Sequence, residues 1–241
     1  MSWSRPDGRS PDAIRPVSFQ RGFTAYAPGS VLVKFGHTHV LCTATASTGV
    51  PRFLADSGQG WLTAEYRMLP SATRDRHKRE FPRISGRTAE IQRLIGRSLR
   101  AALDFEVLGE LTIAIDADVL QADGGTRTAA ITGAYVALHD ACKHLQREGA
   151  IAAWPLRHQI AAISVGIVDG DAIADLCYEE DVKASVDCNV IMTAAGEYVE
   201  IQGTAEGEPF SPAQLDSMTA LAGNAIAHLC QLQTQALDAP L

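Results

Sequence analysis

The sequence predicts a mixed fold of strands and helices in two halves, each running from short strands to a helix. Three observations support this. The 241-residue chain is 46% hydrophobic and 20% charged, which is typical of a packed globular protein and excludes disorder or a coiled coil. A β-rich pattern changes to a helical period after Gly86. The second half repeats that order and ends in a clearly signalled helix.

The first half begins with a predicted hairpin. β-branched and apolar residues over 30–47 flank Gly36, and a second strand-like run follows near 60–69. Between Ile91 and Leu103, apolar residues recur at steps of three and four, which predicts an amphipathic helix. Arg93, Arg97 and Arg100 lie together on another face of that helix.

A strand, a glycine turn and a second helix complete the first half. Residues 110–120 are β-rich, Asp123-Gly124-Gly125 follows, and small residues over about 128–147 predict a helix. We expect the strand to end, and the helix to begin, at the two glycines.

The second half follows a break at Trp154-Pro155. In the last helix Ser211 is the expected N-cap, Pro212 suits the first position, and Gln214 completes a capping box.

We expect one domain over 1–241 with internal halves at about 16–150 and 156–235. A meander of short strands is predicted over 160–168, 172–177, 185–193 and 198–204.

Cysteine usage and the N-terminus indicate the compartment. The five cysteines are scattered without a C-x-x-C spacing, which argues against a disulfide framework or a zinc knuckle and fits a reducing cytosol. The N-terminus lacks an apolar signal core, and no window approaches the roughly 20 apolar residues of a membrane span. We therefore expect a cytoplasmic protein without a membrane partner.

The charge is unevenly distributed. The net charge is -7, yet the segment 67–100 has ten basic and three acidic residues, nine of the ten basic residues being arginine. The other residues carry a net charge of -14. Because the arginine fork matches phosphate oxygens, this segment is a candidate phosphate or nucleic-acid contact; a solvated loop and helix face is the alternative.

The glycine turn is a candidate anion site. Gly124 and Gly125 precede a predicted helix, so backbone N–H groups and the helix N-terminus can face an anion, with Thr126 and Arg127 adding a hydroxyl and a charge. No G-x-x-x-x-G-K-[ST] motif occurs, which disfavours a P-loop. A plain tight turn is the alternative.

An acidic cluster is a candidate Mg²⁺ or Mn²⁺ site. Glu179, Glu180, Asp181 and Asp187 precede or begin an apolar strand, and carboxylates suit these ions. Six extended residues would separate Asp181 and Asp187 by roughly 20 Å, so a shared ion requires the segment between them to turn back. A solvated turn is the alternative. The histidines have no metal-ligand spacing, no G-x-S-x-G motif occurs, and we interpret the histidines as structural or solvent-facing.

Four segments carry specific motifs: Arg5-Pro-Asp-Gly-Arg9, the runs 60–70 and 90–100, and Ala122-Asp-Gly-Gly-Thr-Arg-Thr128. In order and spacing these motifs resemble those of the bacterial ribonuclease PH family, and the similarity runs from near Arg5 to near Leu232. The resemblance implies an α+β, duplicated ribosomal-protein-S5-domain-2-like fold, and a phosphate-dependent 3′→5′ exoribonuclease, or tRNA nucleotidyltransferase, that trims tRNA precursors. It also implies Mg²⁺, with Mn²⁺ as a second candidate, and a homohexamer built as a trimer of dimers. Structured RNA with 3′ extensions, including rRNA, is the wider substrate class.

The same resemblance assigns roles to individual residues. Asp181 and Asp187 match the family's catalytic, metal-binding aspartates. Arg87, Gly125, Thr126 and Arg127 match the residues that hold the attacking phosphate, and Arg127 is also expected to be catalytic. Arg76 and Arg79 match tRNA-binding arginines.

The chain departs from the family in one loop. Ser71 stands where the family usually has arginine, and the loop is about two residues shorter, so Arg74 is the expected substitute for the missing RNA contact. Two other classes stay open. A hydrolytic metal-dependent nuclease would use the same carboxylates without phosphate, and a catalytically silent ring subunit would bind RNA without cleaving it.

Overall fold

The computed structural model describes residues 4–240, which form two β-sheets and five α-helices. The first sheet has the order β1-β2-β3-β5-β4 and the second the order β7-β6-β8-β9. The α+β class is confirmed. The strands are β1 (Val17–Arg21), β2 (Gly29–Phe35), β3 (Thr38–Thr48), β4 (Trp61–Met68), β5 (Leu111–Gln121), β6 (Ile160–Val168), β7 (Asp171–Ala174), β8 (Val186–Thr193) and β9 (Tyr198–Ala205).

The helices are placed by caps that the sequence supplies. Ser85 caps α1 through a 3.1 Å bond from the Thr88 N–H, and Ser211 forms a capping box with Gln214 at the start of α5. The helices are α1 (Gly86–Ala101), α2 (Phe105–Leu108), α3 (Thr126–Arg147), α4 (Tyr178–Asp181) and α5 (Pro212–Asp238).

Helix α3 lies between the two sheets. It packs on β2 and β3 on one side and on β6 on the other. This explains why α3 itself has small or apolar, buried residues on nearly every face. The Thr132 hydroxyl donates to the Ala162 carbonyl, and the Gln233 amide of α5 donates to the carbonyls of Thr132 and Ile160. These bonds join α3, β6 and α5 within one core.

The topology of the second sheet differs from the predicted meander, which is wrong. Strand β8 pairs with β6 rather than with β7, because α4 and its flanking turns carry the chain from the end of short β7 to the other edge of β6. The order of strands followed by a helix is still present in both halves.

Some short elements differ from the prediction, and one helix ends earlier than predicted. Strand β1 and the four-residue helices α2 and α4 were not predicted. Helix α1 ends at Ala101, so Ala102 and Leu103 continue its buried stripe beyond the helix. The hairpin of β2 and β3, strands β4 and β5, and helices α1, α3 and α5 are confirmed.

The cysteines are free and buried, and among residues 4–240 no helix is long and apolar enough to span a membrane.

Candidate active site

A cavity of about 740 Å³ opens between the two halves of the chain. One wall comes from β4 and the loop 69–85, which contains neither helix nor strand, and from the first turn of α1. The other comes from α4 and the face of the second sheet, with the start of α3 between them. The sequence-predicted residues that line it are Arg79, Arg87, Gly125, Thr126, Arg127, Asp181 and Asp187.

The glycine turn between β5 and α3 is held in a conformation that suits an anion. Gly124 and Gly125 have φ values of 72° and 62°, in the left-handed region that glycine adopts without strain. A side chain on Gly124 would also collide with the carbonyl oxygen of Leu176. The Thr38 hydroxyl accepts from the Asp123 N–H at 2.9 Å and donates to the Gly124 carbonyl at 2.7 Å. The turn is therefore fixed before any ligand binds.

The first turn of α3 supplies the donors. Its leading backbone N–H groups are those that a helix leaves unpaired, and they carry the positive end of the helix dipole. The Thr126 hydroxyl lies 2.9 Å from the hydroxyl of Tyr66, a buried residue of β4. Tyr66 was not singled out in the sequence, because it occupies one of the alternating positions of an ordinary strand.

Arg127 is held by two side chains from other elements. Its Nη1 lies 3.3 Å from the Gln202 amide oxygen, to which it donates, and 3.4 Å from a Glu90 carboxylate oxygen. The Gln202 amide in turn donates to Glu90 at 3.1 Å. This closed triangle joins α3, β9 and α1 and orients the guanidinium at the cavity wall.

The two predicted aspartates come together because α4 turns the chain back. Asp181 ends α4, and Asp187 lies at the start of β8, so both line the cavity. Partial burial and the adjacent Asp181 carboxylate raise the pKa of Asp187 to about 6, against the opposing charges of Arg127 and Arg87. Partial removal from water also raises the pKa of Asp181. The pair is thus a site where added positive charge would be strongly favoured.

The rest of the acidic cluster has a structural role. Glu180 is buried and accepts two bonds from the Arg5 guanidinium, at 2.7 and 2.9 Å, while Glu179 lies 3.7 Å from Arg74 at the surface. Arg15, also in the N-terminal segment, forms an ion pair with Asp175, which precedes α4, at 2.7 Å. The N-terminal segment therefore anchors α4, which presents Asp181.

The predicted RNA-binding arginines divide between two positions. Arg79 lines the cavity together with His77 and Lys78, whereas Arg74 and Arg76 are exposed on the same loop outside it. His77 is solvent-facing, as expected, and its loop also brings it to the cavity lining. Ser71 is exposed and lies outside the cavity lining.

Several further polar side chains of the cavity were missed. Ser164 on β6 and Asn189 on β8 are opposite each other in the sheet, and both are buried. The available signal was the single polar residue of the otherwise apolar β6, and on β8 the position of Asn189 two residues from Asp187, which places both on one face of the strand.

Comparisons with known proteins decide the family. Models of the 3′ exoribonuclease family match this chain twice, with domain 1 over residues 13–143 and domain 2 over 158–225. The chain belongs to the 3′ exoribonuclease family. Its relatives include Ribonuclease PH of Synechococcus sp. (strain JA-2-3B'a(2-13)), 64% identical over 241 residues with 99% of each chain covered. Ribonuclease PH of Synechococcus elongatus is 58% identical, with 98% of this chain and 100% of the relative covered.

Solved structures share the fold of this exoribonuclease. An Archaeoglobus fulgidus exosome with RNA bound to the active site superimposes with a TM-score of 0.82 at 22% identity, covering 95% of this chain and 92% of that one. Rice Rrp46 gives a TM-score of 0.80 at 20% identity, covering 97% and 100%.

Proposed function

We propose that this cavity carries the phosphate-dependent 3′→5′ exoribonuclease reaction of the family. The chain is a phosphorolytic exoribonuclease, a tRNA nucleotidyltransferase in reaction class. One observation carries the assignment to this site: the fixed glycine turn, Thr126 and Arg127 face the paired carboxylates Asp181 and Asp187 across a single cavity.

Inorganic phosphate is the proposed occupant of the glycine turn. The backbone N–H groups at Gly125 and Thr126 donate to its oxygens, and Arg127 and Arg87 neutralise its charge. The contacts of Arg127 with Gln202 and Glu90 involve Nη1, so its other N–H groups are left to face the ligand. Both arginines oppose the rise in the pKa values of Asp181 and Asp187, so both lie within electrostatic reach of the carboxylates.

The reaction proceeds by displacement at the terminal phosphorus of the RNA. A phosphate oxygen forms a new bond to that phosphorus, and the bond to the 3′ oxygen of the preceding nucleotide breaks. The terminal nucleotide leaves as a nucleoside diphosphate, and the 3′ oxygen takes a proton and remains on the shortened RNA. Positioning and charge neutralisation provide most of the catalysis, as in other phosphoryl transfers.

Asp181 and Asp187 are the proposed ligands of Mg²⁺, with Mn²⁺ as an alternative. The fit rests on two partly buried oxygen-donor carboxylates at the cavity, whose pKa values are raised by burial and, for Asp187, by the Asp181 carboxylate. Within residues 4–240 no third acidic, histidine or cysteine side chain completes a cluster, which suits an ion that keeps waters and substrate oxygens. When bound, the ion supplies positive charge that stabilises the leaving 3′ oxygen.

The basic loop 69–85 is the proposed contact for upstream RNA. Arg79 and Lys78 at the cavity and Arg74 and Arg76 outside it would bind the phosphate backbone, which gives weak sequence preference and strong salt dependence. tRNA precursors with short 3′ extensions are the proposed substrates, and rRNA precursors are a second candidate.

We also propose a homohexamer, built as a trimer of dimers and acting in the cytoplasm. Tyr26 and Phe53 are 100% and 70% exposed and are available for contacts between copies. Five free thiols fit a reducing compartment. Light scattering on the purified protein tests the assembly: a mass six times that of the chain supports it, and a monomeric mass refutes it.

A phosphate titration on an RNA with a short 3′ extension tests the proposed reaction. We expect shortening that requires phosphate, with nucleoside diphosphates as products. Arg127→Ala should lower kcat/KM by about a hundredfold or more while RNA is still retained. Arg147→Ala is the matched control, because Arg147 is an exposed arginine outside both the cavity and the basic segment 67–100.

The two alternatives give different results. Shortening without phosphate, with nucleoside monophosphates as products, would identify a hydrolytic nuclease. RNA binding without any shortening would identify a silent subunit.

A further inference from the structure

The hydroxyl of Ser164 is buried without a hydrogen-bond partner. Ser164 lies in the middle of β6, every residue of which is buried, and is itself 3% exposed. Within residues 4–240 its Oγ contacts no donor or acceptor at hydrogen-bond distance. Because an unpaired buried hydroxyl is destabilising, such a group in a native fold requires an explanation.

Ser164 faces the cavity beside the glycine turn. It is one of the residues that line the cavity, and its Oγ lies 3.5 Å from the point that a Cβ on Gly125 would occupy. Because Gly125 has no side chain, the Ser164 hydroxyl lies next to the backbone at the N-terminus of α3.

The register of the second sheet places Ser164 within the proposed reaction site. Ser164 pairs with Asn189, which pairs with Gln202, the residue that holds Arg127. Asp187 lies two residues from Asn189 on β8, and residues two apart on a strand share a face. The hydroxyl therefore occupies the cavity floor on the same side of the sheet as the carboxylate and as the partner of Arg127.

The groups nearest to Ser164 beside the glycine turn are donors or are already hydrogen-bonded to other residues. The Thr128 hydroxyl, 3.3 Å from the same point beside Gly125, already donates to the Gly125 carbonyl at 2.9 Å. Arg15, also 3.3 Å from that point, has only donors and is bonded to Asp175. Among the described residues nothing accepts from the Ser164 hydroxyl, so it is left to donate to a ligand, and the donors around it favour an anion.

We infer that Ser164 donates a hydrogen bond to an oxygen of the inorganic phosphate bound at Gly125, Thr126 and Arg127. The inference rests on the proposed function and adds a phosphate-binding residue from the second half of the chain. The phosphate would then bridge α3 and β6, so that the attacking group is positioned by both halves.

Ser164→Ala tests this contact in the full-length protein. Loss of one hydrogen bond to a charged ligand should raise KM for phosphate about tenfold or more, with a smaller change in kcat and no change in KM for RNA. Ser164→Cys, with a weak donor of similar size, should behave like the alanine variant. Ser98→Ala is the control, because Ser98 is buried in α1 and its hydroxyl donates to Leu94 away from the cavity.

A thermal unfolding measurement with inorganic phosphate and no RNA provides a second readout. Without phosphate, Ser164→Ala should unfold at the same or a higher temperature than the wild type, because an unpaired hydroxyl is removed. With phosphate, its gain in Tm should be clearly smaller than that of the wild type.

Three results for Ser164→Ala would overturn the inference. The first is an unchanged KM for phosphate, and the second is a raised KM for RNA alone. The third is a variant that loses as much stability as Ser98→Ala in the absence of phosphate and gains as much Tm from phosphate as the wild type. If the wild type itself shortens RNA without phosphate, the proposed function fails, whatever the behaviour of Ser164.

Discussion

Asp187→Asn should abolish phosphorolysis and at the same time stabilise the folded protein at neutral pH. The carboxylate of Asp187 is partly buried beside Asp181, and these two causes raise its pKa from an ordinary value of 3.8 to about 6. A carboxyl group with a raised pKa in the folded state destabilises that state when it is ionised. The site therefore keeps a charge that benefits catalysis and not the fold.

The magnitude follows from the two pKa values. Above pH 6 the charged group costs up to about 3 kcal/mol of folding free energy, and partial access of water reduces this to about 1–2 kcal/mol. Because a folded-state pKa above the unfolded value means that the folded protein binds the proton more tightly, the cost shrinks as the pH falls below 6. At pH 4.5 it should be about a third of its neutral value.

Urea unfolding of wild type and variant, at equal protein concentration and in the presence of EDTA, measures the difference at pH 7.5 and 4.5. We expect Asp187→Asn to be the more stable protein at pH 7.5, with a smaller difference at pH 4.5. Asp216→Asn, a change at an exposed aspartate of α5, is the control. A variant that is less stable than the wild type at pH 7.5, or a difference that does not depend on pH, would refute the reasoning.

Three other substitutions test the RNA contact and the glycine turn. Arg79→Ala and Arg76→Ala should each weaken RNA binding and reduce the slope of log K against log salt by about one, as measured by filter binding over a salt series; an unchanged slope would mean that the loop does not bind RNA phosphates. Gly124→Ala should lower the free energy of unfolding by about 1–3 kcal/mol and remove phosphate-dependent shortening, because its φ of 72° and the nearby Leu176 carbonyl leave no room for a side chain. Wild-type urea midpoint and activity in this variant would contradict the assigned role of the turn.

Local patterns predicted the parts of the fold that depend on local physics. The apolar stripe of α1 and the capping box of α5 are complete within a few residues of sequence, and the hairpin at Gly36 follows from a turn between two β-rich runs. Strand β1 and helix α4 were missed because each is only four or five residues long and has no period to detect.

Long-range pairing set the limits of prediction at the site. The sequence groups Glu180 with Asp181, yet the structure pairs Glu180 with Arg5, 175 residues away, and leaves Asp181 at the cavity. The support of Arg127 by Glu90 and Gln202 likewise depends on three elements that meet only in the folded chain. The family resemblance assigned the roles of Asp181 and Arg127. The place of Ser164 in the cavity could be recognised only from the register of the second sheet.

The fate of labelled phosphate tests the central claim most directly. The protein is incubated with Mg²⁺, an RNA bearing a short 3′ extension, and inorganic phosphate labelled with oxygen-18, and the released nucleotides are analysed by mass spectrometry. Attack by phosphate predicts nucleoside diphosphates that carry the label in the terminal phosphate. Unlabelled nucleoside monophosphates, with the label remaining in free phosphate, would show attack by water and contradict the account.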